Sequence, residues 1–371
     1  MSRGPGPVGP GSASGAGRDG RSVVSAATAA ASRVFGGAAG GATTFSNKAP
    51  ILRRPEKIDD LLDGRLMARL DQVDVMSRKI FAGKIQGERR SKRRGISVEF
   101  ADFRPYVHGD DLRFVDWNIY GRLDRLFLKV FLEEEDLSLV ICVDASASMR
   151  WGNPDKFVFA QRLAMALGYI GLVNHNRVSL VSWGSAANGG GLQRLSNLRG
   201  RRRTAEMGQW LLRQDPTPNP KEVDPTSVIG FDDAMRTIAL ARQGRGVMVI
   251  LSDFLLKQGY EKGLRYLARG GAGGAGGYDV FAMQILSPEE IDPAANGVAG
   301  DLKLVDVEDQ DVNEVTITPP LLKAYRDRLN AYCGQMREFS IRRGISHVLV
   351  DTQTDMDELL LDYLRKRGLL R

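Results

Sequence analysis

The stretch Leu137–Met149, LSLVICVDASASM, constrains this chain more than any other. Six of the seven residues from Leu137 to Val143 are apolar, too many for a strand with one wet face. That predicts a central strand buried on both faces of a parallel sheet. The run stops at Asp144, Ser146 and Ser148, a D-x-S-x-S pattern. Open α/β sheets gather ligands at the carboxyl ends of their strands. There the chain offers one carboxylate and two hydroxyls on alternate residues. These are hard oxygen ligands, suited to magnesium, manganese or calcium rather than zinc or copper. Capping of the next helix is the competing reading, but helical periodicity resumes only near Asp155, too far along for a simple cap.

From Leu137 onward, strand and helix patterns alternate. An amphipathic helix is expected over Asp155–Val173 and a strand over Arg177–Trp183. Helices follow over Thr204–Leu212 and Gly230–Ala241, then a second fully apolar strand, Gly246–Phe254. Tyr260–Leu267 reads as a helix and Asp279–Leu286 as a strand. Leu302–Val307 and Val312–Thr318 alternate like a hairpin at the sheet edge. Leu321–Arg342, Ser346–Val350 and Met356–Lys366 complete the pattern as helix, strand and helix. This is the signature of a doubly wound, mainly parallel α/β domain over residues 137–371. Neighbouring parallel strands deliver their carboxyl ends side by side, so Asp253, ending the second apolar strand in S-D, is expected to face Asp144 across one crevice.

Residues 1–48 are a Gly/Ala/Ser/Pro tract that cannot bury enough apolar surface to offset its ordering entropy, which predicts a disordered tail. Residues 49–136 read as an extension: helical spacing from Ile58 to Ile80, one helix or two with a break near Gly64, then an aromatic-dense stretch from Ile96 to Leu132. No run reaches the ~18 apolar residues of a membrane-spanning helix, and the first residues lack the apolar core of a secretory leader. Cys142 and Cys333 are the two cysteines of the 371-residue chain, one in the buried strand and one in a helix. Reduced structural thiols in a cytoplasm-like compartment are expected. His108, His175 and His347 show no metal-ligand spacing.

The net charge of +7 sits in clusters, GERRSKRRG at residues 87–95, RGRRR at 199–203 and RKRGLLR at 365–371. Neither of the first two has the interleaved aromatics of a single-strand binder, so solvated loops or docking surface for an acidic partner is preferred to nucleic-acid binding. No Gly-rich turn follows the first core strand, and no G-x-x-x-x-G-K-[ST] occurs, which disfavours nucleotide binding. A metal-dependent phosphohydrolase using Asp144 would ask for a nearby lysine and a further acidic cluster. Lys156 is present, but no second acidic pair is evident.

D-x-S-x-S after a buried strand, with a later strand ending in S-D, resembles the von Willebrand factor A domain and its metal-ion-dependent adhesion site. Upstream, VEFADFRPYVHGDDLRFVDW resembles the bacterial family known as domain of unknown function 58, with Glu99, Phe100, Arg104, Tyr106, Gly109, Asp110, Asp111, Arg113, Asp116 and Trp117 in matching positions. The resemblance covers about residues 57–352. It implies that Asp144, Ser146, Ser148 and Asp253 are metal-site residues holding Mg2+, or Mn2+ or Ca2+, with a threonine as a fifth. Thr226 in DPTSVIGFDDAM is the natural candidate and Thr204 the substitute. It further implies a non-enzymatic adaptor that docks an acidic residue of a partner, working with a MoxR-type AAA+ ATPase or its client. The charged pairs of the upstream block, Asp110 and Asp111 with Arg104 and Arg113, are expected to clamp that segment onto the sheet as buried ion pairs.

Overall fold

The computed structural model describes residues 54–77, 99–108, 110–132, 137–185, 191–216, 229–241, 246–268, 278–293, 295, 300–305 and 312–371. The amino-terminal tract and the GERRSKRRG cluster lie outside these residues. The first described segment forms two short helices, α1 (Ile58–Leu61) and α2 (Gly64–Leu70). They are split where Leu62 turns extended and Asp63 accepts from the Leu66 amide at 2.6 Å to start the second. The helical spacing read as far as Ile80 ends at Leu70. Val73 and Val75 continue into the core as extended chain, Val75 bridging Leu370 near the end of the protein.

Strands β1 (Glu99–Pro105) and β2 (Phe127–Leu132) pair antiparallel, and α3 (Trp117–Leu123) lies between them in sequence. The main sheet follows: β3 (Ser138–Asp144), β4 (Arg177–Trp183), β5 (Gln193–Leu198), β6 (Gly246–Ser252), β7 (Tyr278–Leu286) and, last in the chain, a strand over Ser346–Asp351. The helices among them are α4 (Lys156–Val173), α5 (Thr204–Arg213), α6 (Phe231–Leu240), α7 (Glu261–Ala268) and α8 (Pro288–Ile291). Strands β8 (Gly300–Val305) and β9 (Val312–Ile317) precede α9 (Pro319–Ile341), and Ser346–Asp351 is β10. The chain closes with α10 (Met356–Glu358), a π-turn over Leu359–Tyr363 and α11 (Leu364–Arg367).

Across the sheet the order is β10-β7-β6-β3-β4-β5. All neighbours run parallel except β5, which pairs antiparallel with β4 at one edge. The fold is therefore α/β, with a mixed, mostly parallel sheet flanked by helices. Chain order reverses direction between β3 and β6, the position at which such sheets leave a crevice outside the strand ends. The expected hairpin forms as β8 and β9 but makes its own two-stranded sheet. Its anticipated place at the edge is taken by β10, which finds its parallel partner in β7.

Every residue of β3 and of β6 is buried, as their apolar runs require. One face of the sheet packs α4, α1, α2, α5 and the closing helices into a single core. The other face receives α6, α7 and part of α9. Helix α4 is long and apolar enough by composition to cross a membrane, yet 89% of it is buried inside the protein. It is the central helix of one layer, laid across β3 and β4.

The pairing of β3 with β6 starts at Ser138 and Gly246. A Cβ on Gly246 would fall 1.9 Å from the Ser138 carbonyl oxygen, a backbone atom that cannot yield without shifting the strand. Gly246→Ala is therefore expected to lower the free energy of unfolding by about 1–3 kcal/mol, the cost of overpacking a close-packed interior. A lowered urea midpoint with an unchanged slope checks it.

Candidate functional site

The register that pairs Val143 with Leu251 brings the next residues, Asp144 and Ser252, level at the carboxyl ends of β3 and β6. The Ser252 hydroxyl donates to Asp144 Oδ2 at 2.6 Å, and the Ser146 amide donates to Asp144 Oδ1 at 2.9 Å. Ser146 Oγ and Ser148 Oγ lie 3.1 Å apart, on a loop that makes one 3-10 turn at Ala147–Met149. Helix α4 is capped by Asp155, which accepts from the Phe157 and Val158 amides. Asp144 and the two serines are thus free of any part in capping α4. The end of β4 comes close to this loop: Gly184 has φ of +76°, and a Cβ there would meet the Ser146 amide nitrogen at 2.9 Å.

Asp144 is 1% exposed and, among the described residues, its oxygens meet only neutral donors. Burial, and then the neighbouring negative charge of Asp253, push its carboxyl up to about 6. Asp253 is buried too, but its surroundings differ. Lys156 Nζ lies 2.8 Å from Asp253 Oδ2 and 2.6 Å from Glu290 Oε1, and the Lys156 and Asp253 side chains are each 1% exposed. The other Asp253 oxygen accepts from the Leu255 amide at 3.1 Å. Burial alone would lower the lysine; the two carboxylates outweigh it and hold the ammonium above the usual lysine range. Burial also raises Glu290.

Lys156 stands at the first position of α4, where a cation opposes the helix dipole. Its place is set instead by the two carboxylates. Glu290 reaches it from α8, whose capping box has the Ser287 hydroxyl accepting from the Glu290 amide while the Glu290 carboxylate accepts from the Ser287 amide. The backbone after Asp253 is also shaped by its neighbours. Phe254 takes a left-handed φ of +54°, a conformation that persists in a bulky residue only where its surroundings hold it. Its amide donates to Ser252 Oγ, its ring packs edge-on to Phe231, and its carbonyl accepts from the Tyr332 hydroxyl.

The structure thus brings together Asp144, Ser146, Ser148 and Asp253. Asp253 lies one residue beyond the Ser252 that binds Asp144, committed to an ion pair. Thr226 lies outside the described residues. The Thr204 hydroxyl donates to the Arg201 carbonyl at 2.7 Å and is spent on the turn that opens α5. Glu290 and the binding of Lys156 were not anticipated from the sequence. The signal was there: S-P-E-E directly after a buried strand is a capping box, which places its second glutamate at a strand end.

The upstream block departs from expectation. Arg104 makes a two-pronged pair with Asp110 at 2.8 Å, and Arg113 pairs with Asp111, but Arg104, Arg113 and Asp111 are exposed. These pairs join residues six and two apart in sequence, so they shape the tip of the β1–β2 hairpin and do not clamp it to the main sheet. Asp116 is the buried member and caps α3 through the Asn118 and Ile119 amides. Trp117, 61% exposed, meets Tyr120 edge to face. The Tyr106 amide donates to the Leu126 carbonyl, and Glu99 and Phe100 open β1 opposite Leu132 and Phe131. Gly109 lies outside the described residues.

Comparison with known proteins agrees with this upstream block. Residues 102–332 match the family described as Protein of unknown function DUF58, and the chain belongs to that family. Uncharacterized proteins of Mycobacterium bovis and Mycobacterium tuberculosis are 26% identical over 317 residues, covering 84% of this chain and 93% of theirs.

Two outcomes follow from the buried charges. A carboxyl whose folded pKa lies above its unfolded value holds its proton more tightly when folded. That stabilisation is complete below about pH 4 and is lost as pH rises to about 6. In chelator, wild type is expected to lose about 3 kcal/mol relative to Asp144→Asn between pH 4 and pH 7, at 1.36 kcal/mol per pKa unit, in urea unfolding series. Lys156→Met leaves Asp253 and Glu290 without their cation and is expected to cost about 3–5 kcal/mol at neutral pH. An unchanged urea midpoint would show that the pair is dispensable.

Proposed function

We propose that this DUF58 protein is a non-enzymatic adaptor of von Willebrand factor A-like type, docking an acidic residue of a partner protein through a divalent cation held at Asp144, Ser146 and Ser148. The observation that carries the reading is the uncompensated charge at the crevice. Three buried or nearly buried carboxylates, Asp144, Asp253 and Glu290, share one ammonium, and it sits on the latter two. Asp144 is left with hydroxyl and amide donors, and a divalent cation would balance the cluster. The oxygen set fits such an ion: neighbouring ligands of an octahedral Mg2+ lie about 2.9 Å apart by its bond lengths, close to the 3.1 Å between the two serine hydroxyls. Among the described residues no three His, Cys, Asp or Glu side chains form a group that could hold a metal ion, so the serine hydroxyls and water would have to supply most of the ligands. An ion here would keep open positions, and an open position is what a partner's carboxylate would fill.

The other features of the site support docking in preference to hydrolysis. Lys156, the residue a phosphohydrolase would direct at its substrate, is enclosed by Asp253 and Glu290. With one oxygen on Lys156 and the other on an amide, Asp253 would act on a cation through water. Mg2+ accepts this arrangement because it retains several waters. The partner we propose is a MoxR-type AAA+ ATPase or its client, and the chain acts in the cytoplasm.

Mg2+ and Mn2+ are expected to bind the purified protein saturably in calorimetric titration, with Asp144→Ala and Ser146→Ala reducing the affinity at least about tenfold, the loss of a charge-assisted contact. In pull-downs from the native host, partners retained by wild type in Mg2+ are expected to be released by EDTA and missing with Asp144→Ala. Recovery of the same partners in every condition would sink the metal-dependent reading.

A further inference from the structure

Strands β1 and β2 form a sheet of their own, and between them in sequence the chain makes the helix α3. Two strands alone are at most marginally stable in water. Helix α3 is seven residues long, shorter than a helix that holds itself together in water. It starts at the Asp116 cap, ends at Asp124 in a left-handed φ of +51°, and none of its residues is buried. Yet the arm is apolar: among the described residues, five of the nine large apolar side chains that are exposed lie between Val107 and Leu123. Monomeric proteins rarely gather exposed apolar surface in this way without a partner for it.

Three of the five, Trp117, Tyr120 and Leu123, follow at i, i+3 and i+6, which sets them along one side of α3. The Trp117 and Tyr120 rings already meet edge to face, 6.1 Å between centres. Beside this stripe stands Gly121, where among the described residues a Cβ would meet nothing within 4 Å, so another backbone can come close. Arg122 falls on the far side of the helix, about 140° round from Trp117.

Charge decides what the stripe can meet. The four arginines and four aspartates from Arg104 to Leu128 cancel, and Arg104 and Arg113 are already tied to Asp110 and Asp111. A neutral surface draws neither anionic lipid nor a strongly charged protein. It can face a copy of itself without like-charge repulsion, the condition that a two-fold, isologous contact imposes. The area is sufficient as well. A standard interface takes about 800 Å2 from each partner, a little over half of it apolar. Val107, Leu112 and the α3 stripe, each about half exposed, supply apolar surface of that order.

We propose that this arm is the contact between two copies of the chain. Helix α3 of each copy crosses the other about a two-fold axis, with Trp117, Tyr120 and Leu123 sealed between them and Gly121 at the closest approach. The contact is independent of the Asp144 crevice and of the docking reading.

The test uses the full chain. Sedimentation velocity over a wide range of concentration is expected to show a monomer passing to a dimer. Trp117→Ala and Tyr120→Ala change exposed side chains, so the melting temperature of the monomer is expected to stay that of wild type. The dissociation constant of the dimer is expected to rise about thirtyfold or more with Trp117→Ala, as for a central aromatic anchor. Gly121→Cys is expected to give a disulfide-linked dimer on mild oxidation, and Arg122→Cys, on the far side, a monomer; Cys142 and Cys333 are buried and take no part. A chain that stays monomeric at every concentration, a dimer that both alanine variants leave intact, or equal cross-linking through the two cysteine variants overturns the proposal. So does sedimentation of a monomeric chain with phosphatidylglycerol vesicles through Trp117, which would give the surface to a lipid.

Discussion

A strand buried on both faces cannot end gently. β3 runs between β4 and β6 with every residue sealed. Its last residue, Asp144, is therefore a carboxylate delivered into a water-poor crevice by the same packing that stabilises the sheet. What surrounds that end follows from this placement. Ser252 is level with it because β6 is in register, the Ser146 amide turns back onto it, and β4 closes in over Gly184. The fold and the unusual electrostatics of the crevice share one cause.

The two carboxylates at the crevice are treated differently, and the difference divides structural work from reactive potential. Asp253 is bound to Lys156, which ties the end of β6 to the start of α4 and, through Glu290, to the capping box after β7. Three segments distant in sequence thereby meet on one ammonium. A buried pair of this kind is weak evidence for net stability, because dehydrating the charges offsets most of their attraction. Its evident effect is on position: it holds strand ends and helix start in one arrangement around Asp144.

Elements with a strong apolar or periodic signal were legible in the sequence: β3, β6, β7, α4 and α9 lie where their patterns put them, and Asp144 and Asp253 follow from the strand ends. Elements decided by partners were not. β5, QRLSNL, has no apolar run because it is an edge strand, and its assignment comes from pairing with β4. The pairing of β1 with β2 links residues from 22 (Pro105 and Phe127) to 33 (Glu99 and Leu132) positions apart across a helix, which local periodicity does not encode. Glu290 carries a capping-box signal after β7, but nothing local in the sequence shows that Lys156 and Asp253 meet it there. The charged block from Arg104 to Trp117 misled in the other direction. Charges among aromatics read as buried pairs, yet here they are solvated and local, and such pairs contribute little to stability.

Asp144 at neutral pH is the point at which structure and proposed function meet. Above pH 6 or so the protein must keep a carboxylate charged in a site that burial and Asp253 make hostile to charge. Among the described residues its hydroxyl and amide donors are neutral, and the nearby ammonium of Lys156 is committed to Asp253 and Glu290. An ordinary folding requirement would be met better by asparagine or by a second lysine. Retaining a carboxylate there is costly unless something positive arrives, either a proton or a cation. A proton satisfies the charge and gives no means of recruiting a partner. A divalent cation, as proposed, would satisfy it and would carry an excess of positive charge to Ser146 and Ser148, where a partner's acidic residue could meet it. In the proposed reading the destabilised carboxylate would be the source of the site's affinity: the fold holds a negative charge that a bound cation would relieve.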